Sequence, residues 1–171
     1  EELVLFQLGL ARRRHGVRKE RKGTAFTITD ATRELVKKIL PFPLTGAQKR
    51  VLREIADDMR SPHPMNRLIQ GDVGCGKTIV AAAAAARAVG SGYQAALMAP
   101  TELLAEQHGR SLDAWFRPLG VTVALLSGSQ PARTRRSALE AVASGEVQIA
   151  VGTHALFQEG VSFRRLALVI V

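Results

Sequence analysis

The stretch Gly71-Asp72-Val73-Gly74-Cys75-Gly76-Lys77-Thr78 constrains this chain more than any other eight residues. It has the form G-x-x-x-x-G-K-[ST], a phosphate-binding loop that works between the end of a strand and the start of a helix. Its amides must point inward at phosphate oxygens, and glycine permits a turn that a Cβ would block. Lys77 reaches the β- and γ-phosphates as a point charge, and Thr78 offers a hydroxyl to Mg²⁺. The flanks supply the context. Arg67-Leu68-Ile69-Gln70 reads as a short buried strand entering the loop. Ile79, Val80 and the alanine run from Ala81 to Ala86 read as the helix leaving it, its N-terminus aimed at the phosphates. The expected ligands are therefore a nucleoside triphosphate and Mg²⁺. Lys77 and Thr78 are the candidate catalytic pair, and Gly71, Asp72, Val73, Gly74, Cys75 and Gly76 complete the cradle.

The pattern downstream of the loop alternates strand and helix. Strands are expected over 94–99, 121–126, 147–151 and 166–171, and helices over 101–116 and 131–143. Thr101 caps the first helix, and Pro131 stands near the start of the second. The last strand, Leu166 to Val171, is continuously apolar, as in parallel sheets covered on both faces. Repeated β-α-β units predict an α/β fold with a parallel sheet flanked by helices. Upstream, helices are expected over 30–40, capped by Thr29 or Asp30, and from Thr45 to about Met59. The alanine run is best explained by close helix–sheet packing.

Residues 1–22 begin apolar and end basic. Leu3, Val4, Leu5, Phe6, Leu8 and Leu10 cover more than one helical face, which predicts a linking helix packed on a partner domain. Arg12, Arg13, Arg14, Arg18, Lys19, Arg21 and Lys22 follow, opposed only by Glu20. The whole chain carries a formal charge of +9. That balance suits a polyanion, and nucleic acid is the usual one; a solvated basic linker explains the cluster equally well. No run of 18 apolar residues exists, so no membrane-spanning helix is expected. A single cysteine, Cys75, excludes an internal disulfide framework and a cysteine zinc cluster, and it fits a reducing compartment.

Four blocks in order carry a resemblance. Phe42-Pro43-Leu44-Thr45-Gly46-Ala47-Gln48 is the first. Pro64-Met65-Asn66-Arg67-Leu68-Ile69-Gln70-Gly71-Asp72-Val73-Gly74 is the second. Ala99-Pro100-Thr101-Glu102-Leu103-Leu104-Ala105-Glu106-Gln107-His108 and Val151-Gly152-Thr153-His154-Ala155-Leu156-Phe157-Gln158 follow. Together they resemble the RecG family of branch-migration DNA helicases over essentially the whole chain. The Mfd transcription-repair coupling factors share many of them. The resemblance implies a RecA-like P-loop domain over 41–171 and a linking helix with a basic segment over 1–40. It implies ATP-driven remodelling of branched DNA in recombination and repair, in the bacterial cytoplasm. Expected partners are DNA, branched or single-stranded, a second RecA-like domain and an N-terminal wedge domain. In that family an Asp-Glu-x-His block, which holds Mg²⁺ and activates water, follows the last strand. The chain stops before it, so the RecA-like domain is read as C-terminally incomplete and the segment alone is expected to be inactive.

The resemblance also implies residue roles. Gln48 falls where the family carries the glutamine that reads adenine. Locally, Thr45-x-x-Gln48 is equally a capping box. Phe42 or Leu44 would pack on the base. Thr101 and Glu102, Gly128 and Ser129, and Thr153 and His154 fall at three strand-to-helix junctions that grip the DNA backbone. Carboxyl ends of strands are where open α/β sheets bind ligands. Without the resemblance, Thr101 is a plain N-cap and His154 a polar loop residue. Arg133, Arg135 and Arg136 flank that track or form a solvated helix face. Trp115 reads as packing, and Cys75 replaces a small residue. A P-loop phosphotransferase and a bare nucleotide-binding module are the rival classes. The Pro-Thr-Glu and Gly-Thr-His junctions disfavour the former.

Overall fold

The computed structural model describes residues 4, 23–40, 42–158 and 160–171. Nearly all of the apolar stretch expected as a linking helix, and the whole basic cluster from Arg12 to Lys22, lie outside the described residues. Nine elements matter here. Helices are α1 (Asp30–Ile39), α2 (Gly46–Arg60), α3 (Lys77–Gly90), α4 (Glu102–Phe116) and α5 (Ala132–Ser144). Strands are β1 (Gln94–Met98), β2 (Val123–Leu126), β3 (Ile149–Gly152) and β4 (Leu166–Ile170). Three of the helices start on a threonine whose hydroxyl accepts an amide two or three residues on: Thr29, Thr45 and Thr101.

The strands form one sheet in the order β2-β3-β1-β4, and every pair is parallel. Alternation divides the two faces. Ala95, Leu97, Ile149, Val151 and Leu168 join the core built by α1, α2, α3 and α4. Leu126 and Ala150 point the other way, onto Val142 of α5 and Leu156. The alanine run serves close packing as expected: Ala82, Ala83 and Ala86 have no exposed surface, and α3 lies against β1 and β4. On its far side α3 carries α1, fastened where Thr32 Oγ1 donates to the Gly90 carbonyl at 3.2 Å.

Two expectations fail. Residues 67–70 form no strand. Arg67 instead reaches α2, donating to Glu54 at 2.6 Å and Asp58 at 2.7 Å, and Leu68 is 87% exposed. A cleft of about 1190 Å³ is lined by Arg67, Leu68 and Ile69 together with β4, and the two segments are not paired. The last strand is also not covered on both faces. Among the described strands β4 pairs only with β1, and Leu166 and Val169 are partly exposed. Continuous apolar character here marks an edge strand beside the cleft. Among the described residues no helix is long and apolar enough to cross a membrane.

Candidate functional site

The phosphate loop is built by two glycines with φ of 82° at Gly74 and 88° at Gly76, left-handed values that other residues rarely adopt. Gly76 is the N-cap of α3, and no side chain caps that helix. Cys75 N donates to the Asp72 carbonyl at 3.3 Å, while Lys77 and Thr78, the first two helical amides, have no carbonyl partner. Uncapped amides at the start of a buried helix form an anion site by geometry and by dipole. Lys77 lies along the loop: its Nζ donates to the carbonyls of Gly71 at 2.7 Å and Asp72 at 2.8 Å. The ammonium therefore sits over the concavity. Lys77 and Thr78 also line the cleft beside β4, with Leu97 and Met98 on its floor. Val73 and Cys75 are exposed, and Cys75 Sγ lies 3.9 Å from Lys77 Nζ.

Gln48 joins the loop through a contact that its local reading leaves out. The capping box forms in full: Gln48 N donates to Thr45 Oγ1 at 3.2 Å, and Thr45 N to Gln48 Oε1 at 2.9 Å. The other end of the amide, Nε2, donates to the Cys75 carbonyl at 3.0 Å. A Cβ on Gly76 would displace that Nε2 and break the tie, and the φ of 88° already favours glycine there. Phe42, half-exposed, and Leu44 line a separate hollow with Leu40 and Lys49.

The three proposed strand-end junctions come side by side, because β2, β3 and β1 are adjacent and parallel. Thr101 caps α4 through Leu104 N at 3.3 Å. Gly128, Ser129 and His154 are exposed, whereas Thr153 is 5% exposed and its hydroxyl accepts from Ala155 N. Glu102 turns inward. Ser127 Oγ donates to its Oε1 at 2.8 Å and Ser129 N at 3.2 Å. These bonds, the Ser127 hydroxyl first, hold the Glu102 carboxyl below the ordinary carboxylate range. Arg135 donates to Gln158, and Arg136 pairs with Glu140, which agrees with a solvated face on α5. Trp115 is partly buried against the core.

The sequence places Ser127 and Gly152 at strand ends without their roles, and it leaves out Gln130. Ser127 is buried, with Gln130 closing its turn: Nε2 donates to the Leu125 carbonyl and Oε1 accepts from Ser127 N. A Cβ on Gly152 would strike the Leu126 carbonyl, so the ends of β2 and β3 meet only because that residue is glycine. The signal was a run of small polar residues after a strand, at 127–130.

The sequence profile of the DEAD/DEAH box helicases matches residues 45–171. An ATP-dependent DNA helicase RecG from Bacillus subtilis (strain 168) is 52% identical over 99% of this chain and 25% of its own length. The protein of the same description from Escherichia coli (strain K12) is 50% identical over all of this chain and 24% of its own. A solved structure of RecG bound to a three-way DNA junction superimposes with a TM-score of 0.90, at 42% identity, over 98% of this chain and 23% of that one. A hypothetical ATP-dependent RNA helicase from Sulfolobus tokodaii shares the fold, with a TM-score of 0.56 at 19% identity over 79% of this chain. The chain spans about a quarter of the length of the curated relatives it matches. It belongs to the DEAD/DEAH box helicase family.

Proposed function

We propose that this chain is the nucleotide-binding RecA-like segment of an ATP-dependent DNA helicase that remodels branched DNA. The observation that carries the reading is the loop at 71–78. Its uncapped amides, its clasped lysine and its tie to Gln48 fit a triphosphate, and the whole chain is similar to proteins described as RecG. Lys77 neutralises phosphate charge. Thr78 would supply a hydroxyl to Mg²⁺. When bound, the ion would neutralise phosphate charge. Gln48 selects adenine by exchanging its bond to the Cys75 carbonyl for the base edge, since an amide can both donate and accept. Thr101, Gly128, Ser129 and the Thr153–His154 junction hold a DNA backbone, with a second RecA-like domain and a wedge domain completing the machine in the bacterial cytoplasm.

Two measurements test this. Calorimetry with a non-hydrolysable ATP analogue gives binding to the chain that Lys77→Ala reduces at least tenfold. In the complete gene product, ATP hydrolysis rises with branched DNA and is lost in Lys77→Ala. Equal nucleotide affinity in chain and variant, or hydrolysis indifferent to DNA, overturns the reading.

A further inference from the structure

Among the described residues Glu102 is the carboxylate at the three strand-end junctions, and its carboxyl is turned to the 127–129 turn. One oxygen, Oε1, accepts from the Ser127 hydroxyl at 2.8 Å and from the Ser129 amide at 3.2 Å. Ser127 Oγ in turn lies 2.8 Å from Ser129 Oγ. A Cβ on Gly128 would come within 3.4 Å of the same oxygen. The turn that follows β2 is therefore wrapped around a side chain from the first turn of α4. Gln130 closes the turn from behind through Leu125 and Ser127, and Gly152 lets β3 approach Leu126. Three consecutive strand ends are thus fixed to one another, with Glu102 as the only tie between the start of α4 and the turn after β2 that these bonds supply.

The chemistry of the residue fits bracing and not contact. A carboxylate is acceptor-only, so it gathers hydroxyl and amide donors around itself. Facing outward among phosphate contacts it would repel a polyanion. At the first position of α4 its charge is favoured by the helix dipole. Resting on the reading of these junctions as a nucleic-acid track, we propose that Glu102 is a positioning residue. It holds the 127–129 turn at a set spacing from the capped start of α4, so that donors at both junctions meet one backbone, and it makes no contact with that backbone itself.

The test uses the chain as it stands, a fluorescent oligothymidylate, and amide exchange at 128–130 in the free protein. In Glu102→Ala these amides exchange faster and oligonucleotide affinity falls roughly fivefold, the scale of one lost net hydrogen bond. Glu102→Gln keeps an acceptor oxygen at nearly the same place and restores most of both. Ser127→Ala removes the contact from its other side and repeats the Glu102→Ala effect, with the double variant no worse than either alone. Affinity that rises in both Glu102 variants shows the carboxylate facing the strand and overturns the proposal. Unchanged exchange in Glu102→Ala overturns it as well. Thr101→Ala separates the two readings. If it weakens binding while Glu102→Ala does not, the positioning role fails alone; if neither changes affinity, the track reading has failed and carries the proposal down with it.

Discussion

Gln48 offers the sharpest dissection, because one amide serves two structures. Oε1 and the backbone N–H complete the cap of α2, while Nε2 holds the Cys75 carbonyl at the crest of the phosphate loop. Thr45→Ala removes the Thr45 hydroxyl from the cap and leaves the loop contact; N-cap losses of this kind are about 1 kcal/mol. Gln48→Ala removes the reciprocal bond and the tether together. Each is a net bond of about 1 kcal/mol, so the expected loss is about 2 kcal/mol. Gln48→Glu keeps the acceptor toward Thr45 N but sets a carboxylate against the Cys75 carbonyl, turning attraction into repulsion. Urea unfolding and amide exchange at 74–76 are read together. Thr45→Ala lowers stability and leaves loop exchange alone. Gln48→Glu retains most of the cap and speeds loop exchange roughly fivefold or more. If Gln48→Ala matches Thr45→Ala in stability and in loop exchange, the tether does not act and the link from α2 to the loop is refuted.

Three further outcomes follow from other contacts. Gln94→Leu destabilises the chain by about 2 kcal/mol or more in urea unfolding, because it strands the Val147 carbonyl and the Arg165 amide, both bonded to a side chain only 4% exposed, and leaves the Val142 carbonyl with the Gly145 amide alone. The Glu102 carboxyl, followed by NMR against pH, stays ionised below the ordinary carboxylate range; its lowered folded value means that its contribution is complete above the unfolded value and lost as pH falls through the folded one, and Ser127→Ala moves the midpoint up. Oligonucleotide binding weakens with salt; replacing Arg12, Arg13 and Arg14 reduces the log–log slope by up to roughly 0.7 for each arginine engaged on a single strand, while Thr101→Ala leaves the slope unchanged because a neutral donor releases no counterion.

What could be read from the sequence was what local chemistry decides. Thr29, Thr45 and Thr101 announced their helices because a cap involves residues two or three apart. The strands after the loop showed as short apolar runs between helices, with errors of one or two residues at their ends. The alanine run pointed to close packing because Ala carries nothing to hold two backbones apart. Expectation failed where a distant partner decides. Residues 67–70 have the composition of a strand, yet Arg67 is drawn to Glu54 and Asp58 on α2, and no ladder forms. Gln48 was read as cap or as ligand, two alternatives that sequence sets against each other; the amide has two ends, and the cap leaves Nε2 for the loop. Glu102 stood among the expected DNA contacts because its motif does. Only the approach of residues 25 and 27 positions away turns it inward.

Strand order keeps the proposed phosphate site and the proposed strand-end track apart on one sheet. β1 is the strand between them. On one side it pairs with β3, beyond which lies β2, and the ends of all three carry the junctions. On the other side it pairs with β4, which borders the cleft lined by Lys77 and Thr78. Met98, at the end of β1, lines that cleft, and Thr101, three residues on, caps the helix whose next residue braces the turn after β2. The loop and the proposed junctions lie on opposite flanks of one short segment, 98–102. Hydrogen bonds hold that segment at several points: Ala99 N donates to the Gly152 carbonyl, Thr101 caps α4, and Glu102 accepts from Ser127 and Ser129. What holds that segment is a set of short-range hydrogen bonds, two of them to one carboxylate, and not the chain's excess of positive charge.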